Sequence, residues 1–216
     1  AVIGYSHEHP LEDTGRCNCA CGLICEQKDL DENGYCKTCN YTFVARTGVV
    51  IRYPFVSRRL FEQGRFNDAV TYILENAPQD SDDWSDLELL SDTVYSGTDA
   101  WNRNIDMYLH GHQLTLDSDI VVKSHVLTIK GDQGGTIATN SGALTISGGG
   151  MLNVEPNFSG TLNTVVLDSN GNLTVKEGSN PRIGYLELGK GAGAILAGGT
   201  YEDIINATGD AITLGS

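Results

Sequence analysis

Eight residues of the types that bind soft metal ions crowd the start of the chain: His7, His9, Cys17, Cys19, Cys21, Cys25, Cys36 and Cys39. All 6 cysteines of the 216-residue sequence are among them. Two half-motifs run in parallel. His7-Glu8-His9 precedes Gly15-Arg16-Cys17-Asn18-Cys19, and Cys25-Glu26-Gln27 precedes Gly34-Tyr35-Cys36-Lys37-Thr38-Cys39. Thiolate and imidazole suit tetrahedral zinc, with ligand pairs brought together by short turns. Cys36-x-x-Cys39 is such a pair, and Cys21-x3-Cys25 supplies the other half of a four-sulfur set. His7, His9, Cys17 and Cys19 would make a second set. Closed sets leave no position for water, so one or two zinc ions here would be structural. A cross-braced pairing of the same ligands is equally open. Disulfides, alone or mixed with metal, are the alternative for a secreted chain with an even cysteine count. Two features favour metal. The histidines sit at matching spacing, and the run Cys17-x-Cys19-x-Cys21 is poorly placed to reach three separate disulfide partners.

A head this small cannot bury a self-sufficient core, so its stability rests largely on its cross-links. The rest of the chain is repetitive. Val126-Leu127-Thr128-Ile129 returns as Ala143-Leu144-Thr145-Ile146, Asn172-Leu173-Thr174-Val175, Ala194-Ile195-Leu196-Ala197 and Ala211-Ile212-Thr213-Leu214. The anchoring aliphatics Leu127, Leu144, Leu173, Ile195 and Ile212 are separated by 17, 29, 22 and 17 residues. Each phrase reads as a short strand entered and left through Gly, Asn, Ser or Asp. Further apolar pieces precede most copies, at 136–138, 165–167, 185–188 and 204–205. Strands this short bury nothing alone, but stacked turns share one core. The expected fold is mainly β: a right-handed parallel β-helix, with a β-sandwich of irregular hairpins as the competing reading.

Upstream of the repeats, Val49 to Tyr53 reads as a strand ended by Pro54. Asn67 to Ala77 reads as a helix with Asn67 as N-cap and Pro78 as the stop. Its apolar stripe (Ala69, Val70, Ile73, Leu74, Ala77) is expected to plug the N-terminal end of the coil rather than form a partner groove. Leu87 to Asp92 and Met107 to Leu116 read as the first strands of the coil, and the acidic run Gln79 to Asp86 as a solvated turn. The division is 1–47 Cys/His-rich head, 48–113 linker, cap helix and first strands, and 114–216 β-helix repeats. The repeats stop at Gly215-Ser216 without a polar cap, which leads to the expectation that they continue in a longer protein.

From about Arg65 onward these features resemble the pectin-lyase-like β-helices of Gram-positive surface proteins. The run Met107 to Leu116 is similar to that family's rung, with His110 where Asn is usual. The head resembles the short zinc-ribbon-like units of such proteins, with Phe43-Val44-Ala45 as the aliphatic close and Cys17-x-Cys19 departing from their Cys-x-x-Cys. The resemblance implies a cell-surface or secreted protein and specifies architecture more than activity, because one coil carries enzymes, adhesins and stalks.

The formal charge is −14, from 14 basic and 28 acidic residues, which disfavours nucleic acid and anionic membranes as partners. No apolar run approaches the roughly 18 residues of a membrane span. In 114–216 the acids are scattered among turns. Asp168, Glu187 and Lys190 come nearest to a cluster, and His110-x-His112 is a possible two-ligand pair on one strand face. No nucleophile, phosphate-loop or nucleotide signature is present. The leading expectation is therefore non-enzymatic: a monomeric, extracellular recognition or adhesion module for glycan or protein, with no catalytic residues. A polysaccharide lyase or glycoside hydrolase of the β-helix type, and a passive stalk, are the alternatives.

Overall fold

The structure, a computed structural model, describes residues 48–53, 56–62, 64–78, 83–131, 133–207 and 212–214, together with the backbone of four short strands in the head. Those four form two antiparallel pairs. β1 (Arg16–Asn18) faces β2 (Ile24–Glu26), and β3 (Tyr35–Cys36) faces β4 (Tyr41–Thr42). β5 (Gly48–Tyr53) and β6 (Val56–Glu62) then pair as a hairpin, and α1 (Phe66–Asn76) comes next.

From Trp84 the chain winds into a parallel β-solenoid of about 6 turns. The first turn is β7 (Trp84–Leu89), β8 (Thr93–Tyr95) and β9 (Ala100–Trp101). The second is β10 (Asn104–Tyr108), β11 (Gln113–Leu116) and β12 (Ile120–Lys123). The third is β13 (Val126–Ile129), β14 (Thr136–Thr139) and β15 (Leu144–Ser147). Later turns need only two strands each. They are β16 (Met151–Val154) with β17 (Thr161–Leu167), β18 (Asn172–Val175) with β19 (Arg182–Leu188), and β20 (Gly193–Leu196) with β21 (Thr200–Asn206). β22 (Ile212–Leu214) returns once more to the first sheet.

That first sheet is β7, β10, β13, β16, β18, β20 and β22 in parallel order, with the β5–β6 hairpin added antiparallel at its upstream edge. The second sheet holds the remaining solenoid strands. β17 explains the change in strand count: Thr161 and Leu162 pair with β14, while Val165 to Leu167 pair with β15. The corner that separates β14 from β15 over 140–143 has shrunk to Asn163-Thr164, and one strand runs through. A close approach governs another corner. A Cβ on Gly171 would strike the Ile146 carbonyl oxygen of the turn below, so only glycine lets these turns stack there.

The alternating pattern sends one side of every strand inward. On the first sheet Ile105, Leu127, Leu152, Leu173 and Ala194 stack as register partners. On the second, Ile120, Leu144, Val165 and Leu186 do the same. All are buried in one core cluster, which removes from water the apolar face that no single strand could hide. The parallel pairing rules out the β-sandwich reading. The repeated phrase, however, merges two columns: Leu144 belongs to the second sheet, whereas Leu127, Leu173 and Ile212 belong to the first. Ile195 is not an anchor either. Ala194 is the register partner of Leu173, and Ile195 stands outward, 49% exposed. Spacing by sequence could not see that a turn can carry Leu-Thr-Ile-like strands in both sheets.

The upstream end is plugged as expected. Phe66, Ala69, Val70 and Ile73 of α1 are buried, and the helix packs against β5, β6 and β8. Phe66 stands edge-on to Tyr95 (centroids 6.0 Å), and Tyr95 edge-on to Trp101 (5.7 Å), filling the first turn with aromatic rings. Trp101 Nε1 donates to the Tyr95 hydroxyl at 3.2 Å. The buried Arg103 clamps the plug, donating from Nε to the Ala77 carbonyl (2.9 Å) and from Nη2 to the Leu74 carbonyl (2.6 Å). These are carbonyls at the helix C-terminus, which lack intrahelical donors. The helix starts at Phe66, so Asn67 is not its cap. The Asn67 side chain instead reaches the coil, donating to Ser96 Oγ (2.8 Å) and accepting from Ser96 N (3.1 Å).

Candidate functional site

A dense constellation of charged and aromatic side chains stands on the outer face of the first sheet, at its upstream end. Local alternation puts it there. In Trp84-Ser85-Asp86-Leu87-Glu88-Leu89 the even-numbered residues point out while Ser85, Leu87 and Leu89 are buried. In β10 the outward set is Asn104, Asp106 and Tyr108, and β13 adds Thr128 with Lys130 just beyond its end. Register then builds rows across the strands. Arg52, Asp86, Asp106 and Thr128 are successive partners from β5 to β13.

Ion pairs knit adjacent turns. Arg52 Nη2 lies 2.6 Å from Glu88 Oε1, while Arg52 Nη1 is 3.7 Å from Asp86 Oδ2. Lys130 Nζ lies 2.8 Å from Asp106 Oδ2. The Glu88 side chain is 12% exposed and that of Asp106 15%, so these carboxylates interact in a medium drier than bulk water. His110 Nε2 is 3.8 Å from Glu88 Oε2, and its ring stacks on Tyr108 with centroids 5.8 Å apart. Trp84, 38% exposed, stands two residues from Asp86 on the same outward row of β7.

Burial and neighbouring charge set the electrostatics. Burial pushes the Asp86 carboxyl above its ordinary range. Arg52 and Lys130 pull against that shift, and the neighbouring charges of Asp106 and Glu88 reinforce it. Burial likewise raises the Tyr108 phenol, helped by the surrounding carboxylates. For Lys130 burial works downward but is outweighed by the hydrogen bond to Asp106 and the nearby negative charges, so its ammonium is held above the usual value.

The expected sites fare differently. His7, His9, Cys19, Cys21 and Cys39 lie outside the described residues. Cys17, Cys25 and Cys36 fall in strands whose backbone alone is described, and there Cys17 and Cys25 are direct register partners. The pair His110 and His112 does not share a strand face. His110 (φ 50) and Gly111 (φ 80) form the left-handed turn between β10 and β11, and His112 Nδ1 lies 3.6 Å from Asp92 Oδ1, away from Glu88. The left-handed φ at His110 is one that His, like Asn and Asp, adopts more readily than most residues. Among the described residues no group of three or more His, Cys, Asp or Glu is placed to hold a metal. Asp168, Glu187 and Lys190 are joined by no ion pair among the described residues, and Glu187 accepts from the Tyr185 hydroxyl at 3.1 Å instead. The acidic run ends in β7 rather than in a turn, with Asp86 on the strand itself.

Arg52, Asp86, Glu88, Asp106, Tyr108 and Lys130 are functional candidates that sequence reasoning missed, because they are spread over segments from β5 to the end of β13 and only the register brings them together. The signal was present: three alternating segments carry acids or a lysine among their outward positions. Among the described residues no helix is long and apolar enough to cross a membrane. The chain matches no family model, no curated protein and no solved structure.

Proposed function

We propose that this chain is an extracellular recognition module of a bacterial surface protein, in which a right-handed β-helix presents the outer face of its first sheet to an extended glycan or protein. The observation that carries this reading is the concentration of Trp84, Asp86, Glu88, Asp106, Tyr108, His110 and Lys130 on the upstream rows of one sheet. Rows about 4.8 Å apart match an extended partner laid across them, and the exposed Trp84 ring offers a stacking surface on the same face. The resemblance to Gram-positive surface β-helices supports the location. The test is retention of the protein in gels cast with soluble cell-wall and host glycans, and on immobilised surface proteins. Wild type should bind and Trp84→Ala with Asp106→Asn should not. Binding untouched by both changes would move the site elsewhere.

A second reading has its own support, since acidic and basic groups on one sheet of the coil are what a β-helix glycoside hydrolase or lyase requires. Asp86 would then donate the proton to the leaving oxygen, with Asp106 ionised beside it. Release of reducing ends or unsaturated sugars from polyuronate and neutral polysaccharides, lost in Asp86→Asn, would favour it over pure binding.

The head belongs to the same proposal as a structural zinc unit. Support comes from the donor chemistry and from Cys36 at the end of β3, where the Cys36-x-x-Cys39 spacing begins, while the register of Cys17 with Cys25 across β1 and β2 suits a cross-braced set or a disulfide. Zinc bound there would supply folding energy to a segment with little core of its own. Metal content together with a free-thiol count on protein purified without chelator decides it. One or two zinc per chain with reduced thiols is expected, and six oxidised thiols without metal would replace zinc by disulfides.

A further inference from the structure

We infer that Asp86 and Asp106 hold one proton between them, so that the charge of the outer face is set by pH; the recognition reading is needed only for the consequence, not for the proton.

Three geometric facts converge. Asp86 and Asp106 are direct register partners on adjacent parallel strands and share the outward face, so their side chains occupy neighbouring positions in one outer row. Asp106 uses Oδ2 for Lys130, while its Oδ1 is buried and has no hydrogen-bond partner. Arg52 gives its short contact to Glu88 and reaches Asp86 at only 3.7 Å. Asp86 thus lacks a close counter-ion, and Oδ1 of Asp106 lacks a donor. A proton on Asp86 answers both needs at once. It removes the repulsion between adjacent carboxylates and supplies an O–H that can donate to Asp106 Oδ1.

The remaining groups on this face act on the pair without replacing the proton. They are Arg52 on β5, Glu88 on β7, Tyr108 and then His110 at the end of β10, and Lys130 after β13. With Asp86, Glu88 and Asp106 ionised against Arg52 and Lys130, the patch carries one net negative charge. Taking up the shared proton brings it to neutrality. The raised Asp86 carboxyl agrees with this assignment.

Linkage gives the sign for stability. A carboxyl raised in the folded state binds its proton more tightly when folded. Its stabilising effect is fully present below the ordinary value of 3.8 and is lost as pH rises through the higher folded value. Asp86→Asn mimics the protonated form. It should raise the thermal midpoint at neutral pH and give no advantage in acid.

The experiment is carboxyl-carbon NMR titration of the wild-type chain, with Asp106→Asn, His110→Gln and Asp86→Asn alongside. Asp86 is expected to titrate above its ordinary position, to move back toward it in Asp106→Asn, and to remain elevated in His110→Gln. Ordinary titration of Asp86 in the wild type overturns the inference, as does an Asp106→Asn variant that leaves it unmoved. The wild-type titration decides even where a variant fails to fold. Partner binding on this face should weaken or strengthen over the same pH window. Binding that is flat with pH while the pair titrates as expected would leave the shared proton standing and count against the recognition face.

Discussion

The two halves of the first sheet share one backbone and one inward pattern, yet their outer faces differ in kind. Upstream, β7, β10 and β13 display Asp86, Glu88, Asp106, Tyr108 and Lys130. Downstream, the corresponding middle row reads Asn153, Thr174 and the exposed Ile195, and one ion pair remains on the neighbouring row, Lys176 Nζ to Glu155 Oε1 at 2.6 Å. The inward residues in both halves are buried and mostly aliphatic, from Leu87, Ile105 and Leu127 upstream to Leu152, Leu173 and Ala194 downstream. The difference teaches that stacking constrains only the inside of a solenoid. The outer rows are free to specialise, and on the described part of the first sheet the charged rows lie in the turns nearest the cap.

The sharpest way to break that comparison is to injure the inside of each half. Leu127→Ala and Leu173→Ala both remove a fully buried side chain between two neighbours in register, and each should cost about 3 kcal/mol in urea unfolding. Unequal costs would show that the halves are not equivalent inside either. Next comes the cap that belongs to the upstream half alone. Arg103→Met leaves the Leu74 and Ala77 carbonyls without their donor and should cost about 2 kcal/mol, with amide exchange accelerating first in α1. The outer ion pairs sharpen the contrast further. Lys130→Met strands the largely buried Asp106 and should cost about 1 to 2 kcal/mol. Lys176→Met should cost less than about 1 kcal/mol, since the Lys176 side chain is 42% exposed. Smallest of all, Ile195→Thr continues the threonine row and should stay within about 0.5 kcal/mol of wild type.

Much of this fold is legible from local pattern. The strand phrases, the corner glycines, the plug helix and its stop at Pro78 all arise from alternation and turn chemistry that act over a few residues. The helix begins at Phe66, ahead of the start that its pattern implies, because its anchor is the burial of Phe66 in the core and not a capping side chain. The hairpin partner β6 is not legible, because it pairs antiparallel at the sheet edge and its sequence carries no clean alternation. The candidate site was less legible still. Its residues are spread from Arg52 to Lys130 in sequence, and only the register brings them into adjacent rows.

By itself, then, the sequence determined that short β strands alternate apolar and polar residues, that they must stack to bury their apolar sides, and that the head is rich in zinc-type ligands. These are properties of composition and near-neighbour spacing. Tertiary structure decided which phrase joins which sheet, that Ala194 rather than Ile195 faces the core, and that Asp86 meets Asp106. Those outcomes depend on the length of each turn. A change of one residue in a turn flips every outward side chain inward, and turns from 18 residues (Ala194 to Ile212) to 25 (Leu127 to Leu152) must all close into the same register.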